Sequence, residues 1–313
     1  MRIVDLHADV LSKMLEHPEA DWRGSGEEGV FDATPERLRQ GGVVLQAFPI
    51  FVPDRLPQTP ESLFRAAELF WSKVLTVPGI KLVRRAEELE AAKREGAIGA
   101  ILSLESATGL QGQTWALRLL HRLGLRLLGP TWNHANWACD GAMEPRGAGF
   151  TKAGRQLVKE CESLGILVDV SHLSDRGFWE LAEHARRPYF ASHSNARAVA
   201  NHPRNLADEQ IRAIVAADGL IGVTFVPWFA TAAEPAAIDD VLRHVEHMGA
   251  LGAAKHLAFG SDFDGIDRHV RGLEHPGRYP ALIEALLKRY PEPFVEDLAG
   301  RNAVRFLAKN LSN

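Results

Sequence analysis

Five short apolar runs in this chain each end in a histidine or an acidic residue. The residues that end them are His7, Glu105, His172, His193 and Asp262. Runs of this length and composition are typical of buried parallel β-strands. Because parallel strands bring their carboxyl ends to the same edge of a sheet or the same mouth of a barrel, the pattern predicts a cluster of imidazoles and carboxylates there.

Apolar runs alternate with helical patterns along the whole chain. The eight predicted strands are residues 3–7, 43–50, 97–104, 125–130, 165–171, 188–193, 220–225 and 256–261. Between them, segments such as 60–75 and 207–217 carry apolar residues at helical spacing. This alternation favours an α/β fold with a parallel sheet, and eight strands favour closure into a (β/α)8 barrel. An open, doubly wound sheet is the alternative.

The composition is that of a globular protein with a large core. The 313 residues are 46% hydrophobic and 24% charged, and no linker divides them, so we expect one barrel domain over residues 1–313. A net charge of −4 without basic runs argues against nucleic-acid binding. No apolar run reaches the length of about 18 residues that predicts a membrane span. Two cysteines and a charged N-terminal stretch make the cytoplasm the expected location.

Two polar, glycine-rich stretches predict long loops, at residues 21–35 and 133–150. Each follows a predicted strand. In a barrel, such loops lie over the mouth where a substrate enters.

The strand-end residues are of the types that bind metal ions. Singly, each has an ordinary explanation, such as a hydrogen-bonded core histidine or an ion-paired carboxylate. Five of them at the same ends of four strands favour a metal centre formed by His7, Asp9, Glu105, His172 and His193. Three imidazoles and two carboxylates exceed what one tetrahedral zinc needs, and they suit two divalent ions with one carboxylate, Glu105, between them.

Asp262 and Arg204 are candidates for roles other than metal binding. Asp262 ends the last predicted strand, where a carboxylate beside a metal centre can transfer a proton. A turn, a helix cap or a calcium loop are the alternatives, and a calcium loop lacks its acidic twelfth residue here. Asp264 is predicted to form the turn with Gly265. Arg204 follows the His193 strand and either binds a carboxylate with two parallel hydrogen bonds or holds its own loop.

Taken together, these segments resemble the membrane dipeptidase (renal dipeptidase) family of zinc peptidases, which are similar to metal-dependent amidohydrolases. The matching segments, in the family's order, are VDLHAD at 4–9, LE at 104–105, DVSH at 169–172, SHS at 192–194, RNL at 204–206 and GSDFDG at 260–265. The resemblance implies a (β/α)8 barrel with two zinc ions per chain. It assigns His7 and Asp9 to one ion, His172 and His193 to the other, and Glu105 to both.

The resemblance also implies an activity. The expected reaction is hydrolysis of dipeptides, including those with a C-terminal D-residue, by attack of a metal-bridging hydroxide. Asp262 is then the proton-transfer residue and Arg204 the contact for the substrate carboxylate. A homodimer is expected from the family. The alternatives are hydrolysis of another small amide or a lactone, such as an N-acyl amino acid, and a metal-binding protein without turnover.

Two positions depart from the family pattern. The family usually has a histidine after the threonine near the fourth strand, where it polarises the scissile carbonyl. Here Trp132 follows Thr131, and we expect His134, two positions on, to contact the substrate instead. Ser106 follows Glu105 where the family often has glycine, which predicts an altered backbone beside that carboxylate.

Overall fold

The computed structural model describes residues 1–24 and 29–311. Residues 25–28, in the predicted loop 21–35, lie outside this description, as do residues 312 and 313. The nine strands in the described part are β1 (Ile3–Asp5), β2 (Val43–Ile50), β3 (Ile80–Leu82), β4 (Ile98–Glu105), β5 (Leu125–Gly129), β6 (Leu167–Val168), β7 (Phe190–Ala191), β8 (Leu220–Val223) and β9 (Leu257–Phe259).

Helices surround these strands. The α-helices of the described residues are α1 (Val10–Glu16), α2 (Pro35–Gln40), α3 (Pro60–Leu69), α4 (Ala86–Arg94), α5 (Thr114–Arg122), α6 (Lys152–Leu164), α7 (Asp175–His184), α8 (Asp208–Ala216), α9 (Pro227–Ala230), α10 (Ile238–Ala250), α11 (Tyr279–Leu287), α12 (Glu292–Glu296) and α13 (Asn302–Asn310). Among the described residues, no helix is both long and apolar enough to cross a membrane.

The strands form a closed parallel barrel. Their order is β6-β5-β4-β2-β1-β9-β8-β7, and a parallel bridge between Asp169 and Phe190 joins β6 to β7. Each of the eight predicted strands overlaps one strand of this ring, which confirms the barrel and excludes the open sheet. The additional strand, β3, pairs with the first half of β4 outside the ring and is not among the eight predicted strands.

Strand β4 shows how the two layers of the core are filled. Ile98, Ala100, Leu102 and Leu104 belong to the cluster packed against the surrounding helices. Ile101 belongs to the inner cluster, which also contains Phe306 and Leu307 of α13. Because side chains alternate along a strand, Glu105 has the same parity as Ile101 and points into the barrel mouth.

Six of the eight ring strands are shorter than predicted, so most of the polar residues lie in the loops just beyond them, whereas Glu105 is the last residue of β4. β1 ends at Asp5, two residues before His7, and β9 ends at Phe259, three before Asp262. A helix then begins close to the ligand candidates: the Ser174 hydroxyl accepts a hydrogen bond from the Gly177 amide and caps the start of α7 just after His172.

Candidate metal centre

The mouth of the barrel contains a cavity of about 410 Å³. It lies at the carboxyl ends of the strands, where barrel enzymes have their active sites. Among the residues that line it are Asp9, Glu105, His172, Arg204 and Asp262. The structure thus brings residues from distant parts of the sequence to one place.

One half of the cluster is centred on His7. Its Nε2 lies 3.3 Å from Asp9 Oδ2, 3.4 Å from Glu105 Oε2 and 3.8 Å from Asp262 Oδ1. His7 with Asp9 and Asp262 forms one group whose potential ligand atoms lie within 4.8 Å of one another. All of these side chains are buried or nearly so.

The other half contains His172 and His193. Their Nε2 atoms lie 2.9 Å apart, and Glu105 Oε1 is 2.6 Å from the former and 3.8 Å from the latter. The two carboxylate oxygens of Glu105 therefore face different halves, Oε2 towards His7 and Oε1 towards the histidine pair. This is the arrangement expected of a carboxylate shared by two ions.

A second layer of side chains orients the histidine pair. Asn133 Oδ1 lies 3.1 Å from His172 Nδ1, and Ser192 Oγ lies 2.7 Å from His193 Nδ1. The Ser192 hydroxyl also hydrogen-bonds the Asp169 carboxylate. Bonds at Nδ1 leave Nε2 of each ring for a ligand in the mouth. Sequence reasoning gave no role to Asn133, Ser192 or Asp169, although the latter two stand inside the motifs that contain the histidines.

Arg204 lies deep in the cavity wall and contacts the histidine pair. Its Nη2 donates to His172 Nε2 at 3.1 Å and to His193 Nε2 at 2.9 Å. Its Nε and Nη1 are buried without a hydrogen-bond partner among the described residues. A guanidinium group therefore puts positive charge where the two Nε2 lone pairs converge, and it keeps two donors for another group.

The pKa values follow from burial and from these neighbours. Burial lowers the pKa of His172 to about 4, and Arg204 acts in the same direction. Burial, with His7 and His172, lowers the pKa of His193 well below its usual range. Both rings are therefore neutral, the form that binds metal ions. Burial opposes ionisation of Glu105, but His7 and His172 hold its pKa well below the usual range.

His7 has the opposite shift. Burial alone would lower its pKa, but the charges of Glu105 and Asp9 raise it well above the usual range. The acidic half of the cluster thus attracts positive charge. Since metal ligands must lose their protons on binding, a divalent cation here would take the place of the His7 proton.

The donor set fits divalent cations. His7 Nε2 and Asp9 Oδ1 are buried without a hydrogen-bond partner in the described part of the chain. Gly265 lies so close to the carboxylates that a Cβ atom would come within 2.3 Å of Asp9 Oδ2 and 2.5 Å of Asp262 Oδ1. Imidazole and carboxylate ligands suit zinc, with manganese or cobalt as other candidates.

Asp262 and Asp264 have different surroundings. Burial raises the pKa of Asp262 well above its usual range, as do the nearby charges of Asp9 and Glu105, while His7 opposes them. Asp264 instead accepts hydrogen bonds from the backbone amides of Asp32 at 2.7 Å and Ala33 at 3.0 Å. Asp264 holds a loop, whereas Asp262 faces the cluster.

His134 does not lie where the sequence analysis expected. Its side chain is exposed and is not among the residues that line the cavity. The Thr131 hydroxyl donates to the His134 carbonyl at 2.8 Å, which turns the chain so that Trp132 and Asn133 face the mouth instead. The structure therefore does not bring His134 to the cavity, and its contact with a substrate stays a prediction.

Comparison with known proteins agrees with the geometry. A metallopeptidase crystal structure described as dipeptidase AC of family M19 superposes with a TM-score of 0.92 at 30% identity, covering 100% of this chain and 99% of that one. A Rhodobacter sphaeroides metallopeptidase, solved with a phosphinate mimic of the dipeptide L-Ala-D-Ala, has a TM-score of 0.91 at 28% identity, covering 99% of both chains.

Sequence relatives agree as well. Dipeptidase tcpJ of Claviceps purpurea is 32% identical over 234 residues, 73% of this chain and 55% of its own length. The chain thus spans about half of that relative, but 88% of a Klebsiella pneumoniae protein encoded in the pqqA 5' region, at 33% identity over 73% of this chain. Residues 1–312 match the family described as membrane dipeptidase, peptidase family M19. The chain belongs to this family of metallo-dipeptidases.

Proposed function

We propose that the protein is a dinuclear zinc dipeptidase. One observation carries the proposal: the two carboxylate oxygens of Glu105 face two separate groups of potential ligands. His7 and Asp9 would hold one ion, His172 and His193 the other, and Glu105 both. When bound, such a pair supplies an activated water and stabilises negative charge on the carbonyl oxygen.

The chain's own residues supply the remaining steps. The water oxygen adds to the scissile carbonyl carbon, the C–N bond breaks, and a proton must reach the departing amine. Asp262 carries that proton, taking it from the attacking water and passing it to the amine, since its carboxyl oxygen lies 3.8 Å from His7 Nε2, against the cluster.

Arg204 binds the C-terminal carboxylate of the substrate. It lines the cavity, and its Nε and Nη1 have no partner among the described residues. A guanidinium and a carboxylate form charge-assisted hydrogen bonds that are stronger than neutral ones. Substrates with a C-terminal D-residue are included in the proposal, because the Rhodobacter sphaeroides relative was solved with a mimic of L-Ala-D-Ala.

The test is a panel of L,L- and L,D-dipeptides with the zinc-loaded protein, with and without chelator. We expect metal-dependent hydrolysis and, by elemental analysis, about two zinc ions per chain. N-acyl amino acids and lactones in the same panel test the alternative substrates. Absence of dipeptide hydrolysis at full zinc occupancy would overturn the proposal.

The role of Arg204 has its own measurement. Arg204→Ala should raise KM for dipeptides with a free carboxylate by roughly tenfold to a hundredfold, since hydrogen bonds to charged groups contribute about 1.5–3 kcal/mol. Matched dipeptide amides should be poor substrates of the wild type and lose little more. An equal loss for acids and amides would show that Arg204 only supports its loop.

A further inference from the structure

Two apolar walls face each other across the mouth. One consists of Phe51 and Trp132, whose ring centroids lie 5.1 Å apart; we call it the aromatic wall. The other consists of Val226, Phe229 and Ile266, which form a small cluster separate from the main core; we call it the β8 wall. All five residues line the cavity.

The strand order places these walls opposite each other. Around the closed ring, β4 lies four strands from β8 in either direction. Phe51 directly follows β2 and Trp132 follows β5, the two ring neighbours of β4. The aromatic wall therefore stands above Glu105, across the mouth from the β8 wall.

Arg204 belongs to the β8 side. Its guanidinium carbon lies 5.4 Å from the centre of the Phe229 ring. A dipeptide carboxylate held by Arg204 puts the C-terminal residue beside the β8 wall, and the scissile bond then lies over the metal ligands. The N-terminal residue extends further in the same direction, towards the aromatic wall.

The aromatic wall offers that residue an apolar surface. Both of its side chains are only partly buried, and Trp132 packs beside the His172 ring at a centroid distance of 6.3 Å. Glu16, which also lines the cavity, forms an ion pair with Arg55 at 2.9 Å. A large apolar side chain is therefore the complement of this surface.

We propose that the Phe51–Trp132 pair selects dipeptides with a large apolar N-terminal side chain. This inference rests on the proposed dipeptidase function and adds its substrate class. Both residues are specificity determinants, because each contacts the substrate side chain away from the reacting atoms. The C-terminal side chain is read separately, by the β8 wall.

The experiment compares two substrate series on the full-length, zinc-loaded protein. In the X-Ala series, with X as Gly, Ala, Leu or Phe, wild-type kcat/KM should rise by about tenfold or more from Gly to Leu. Phe51→Ala and Trp132→Ala should each lower kcat/KM for Leu-Ala and Phe-Ala by about tenfold to a hundredfold, and for Gly-Ala much less. In the Ala-X series, in which the C-terminal residue varies, the order of the kcat/KM values should remain that of the wild type.

Conservative and distant variants serve as controls. Phe51→Leu and Trp132→Leu keep an apolar side chain and should retain most of the preference for Leu-Ala over Gly-Ala. Phe64→Ala removes a ring from a similar aromatic pair, Phe64 with Trp115 at 6.1 Å, on α3 and α5 outside the mouth. It should change neither series. Thermal melting and bound zinc show that each variant is folded and loaded.

The outcomes separate this inference from the proposed function. If the wild type hydrolyses no dipeptide, the proposed function fails. If it hydrolyses dipeptides but the two wall variants lose activity equally on Gly-Ala and Leu-Ala, or change only the Ala-X series, the function stands and the assignment of the aromatic wall is overturned.

Discussion

Asp262 and Asp264 share a left-handed backbone, with φ of 69° and 66°, and differ in what their carboxyl groups contact. Asp262 faces His7 and the other carboxylates, whereas Asp264 accepts the Asp32 and Ala33 amides. Aspartate tolerates this backbone region better than most residues. Two residues of the same type, two positions apart, therefore have separate surroundings, which supports the proposed proton-transfer role for Asp262 and a role in holding a loop for Asp264.

Asp262→Asn should keep the fold and the bound metal but lower kcat by about 10²–10⁴-fold, because it removes proton transfer. Asp264→Asn should instead lower the melting temperature, because an amide is a weaker acceptor for the two backbone amides. Turnover, metal content and melting temperature of both variants are the measurements. A larger loss of kcat in Asp264→Asn than in Asp262→Asn would reverse the assignment.

At this scale the sequence places a residue best where it ends a strand or follows one closely. Glu105 ends β4 and His172 lies four residues after β6, and both line the cavity as the strand pattern predicts. The path of the loop after β5 could not be deduced, so His134 was placed in the mouth that Trp132 and Asn133 occupy. The direction of a loop depends on single hydrogen bonds, here that of the Thr131 hydroxyl to the His134 carbonyl. The spacing of apolar residues in the sequence does not indicate such a bond.

At the scale of elements, the strands were predictable because both faces of a barrel strand are buried and the runs are continuously apolar. β3 is not evident from the sequence because only three residues pair, Ile80–Leu82, and one of them is exposed.

Ser106 departs from the family pattern beside Glu105, and the structure gives its φ as 76°, a region that glycine adopts without strain. Its hydroxyl lies 2.8 Å from Thr108 Oγ1 and supports the turn.

Close contact between strands depends on two glycines beside β7. A Cβ atom on Gly222 would lie 1.9 Å from the Ser192 carbonyl oxygen, and one on Gly260 would lie 1.7 Å from the same atom. Both distances are far below van der Waals contact, and the obstructing atom is backbone. The chain around Ser192 can approach β8 and β9 only because these positions lack side chains.

Gly260→Ala should therefore destabilise the protein by about 1–3 kcal/mol or more, since the barrel must shift to admit a methyl group. Gly249→Ala is the matched control, because nothing lies within 4 Å of a Cβ atom there and the residue is inside α10. That variant should be stabilised by roughly 0.5–1 kcal/mol. Denaturant unfolding of both variants measures the difference. Equal stability of the two would contradict the close approach.

At the scale of the whole molecule, the proposed metal ligands connect elements that share little backbone strand pairing. Glu105 ends β4, and the other four proposed ligands follow β1, β6 and β7 in the chain. Among the described residues, β6 and β7 are two-residue strands joined by one β-bridge, Asp169–Phe190. Ligands from both sides of this seam, His172 and His193, would share one ion. Metal binding should therefore contribute to stability as well as to catalysis.

Removal of the metal should lower the melting temperature of the wild type by several degrees. A ligand that binds only the folded state stabilises it by about 4 kcal/mol at a thousand times its dissociation constant. Amide hydrogen exchange should rise most near residues 167–172 and 190–193, where the junction of β6 and β7 loses its shared ion.

The His172→Ala, His193→Ala double variant should show a smaller shift of the melting temperature on chelation. His184→Ala, which changes an exposed histidine of α7, should show the full shift. A wild-type melting temperature that stays constant after elemental analysis confirms metal loss would show that the barrel closes without help from its ligands.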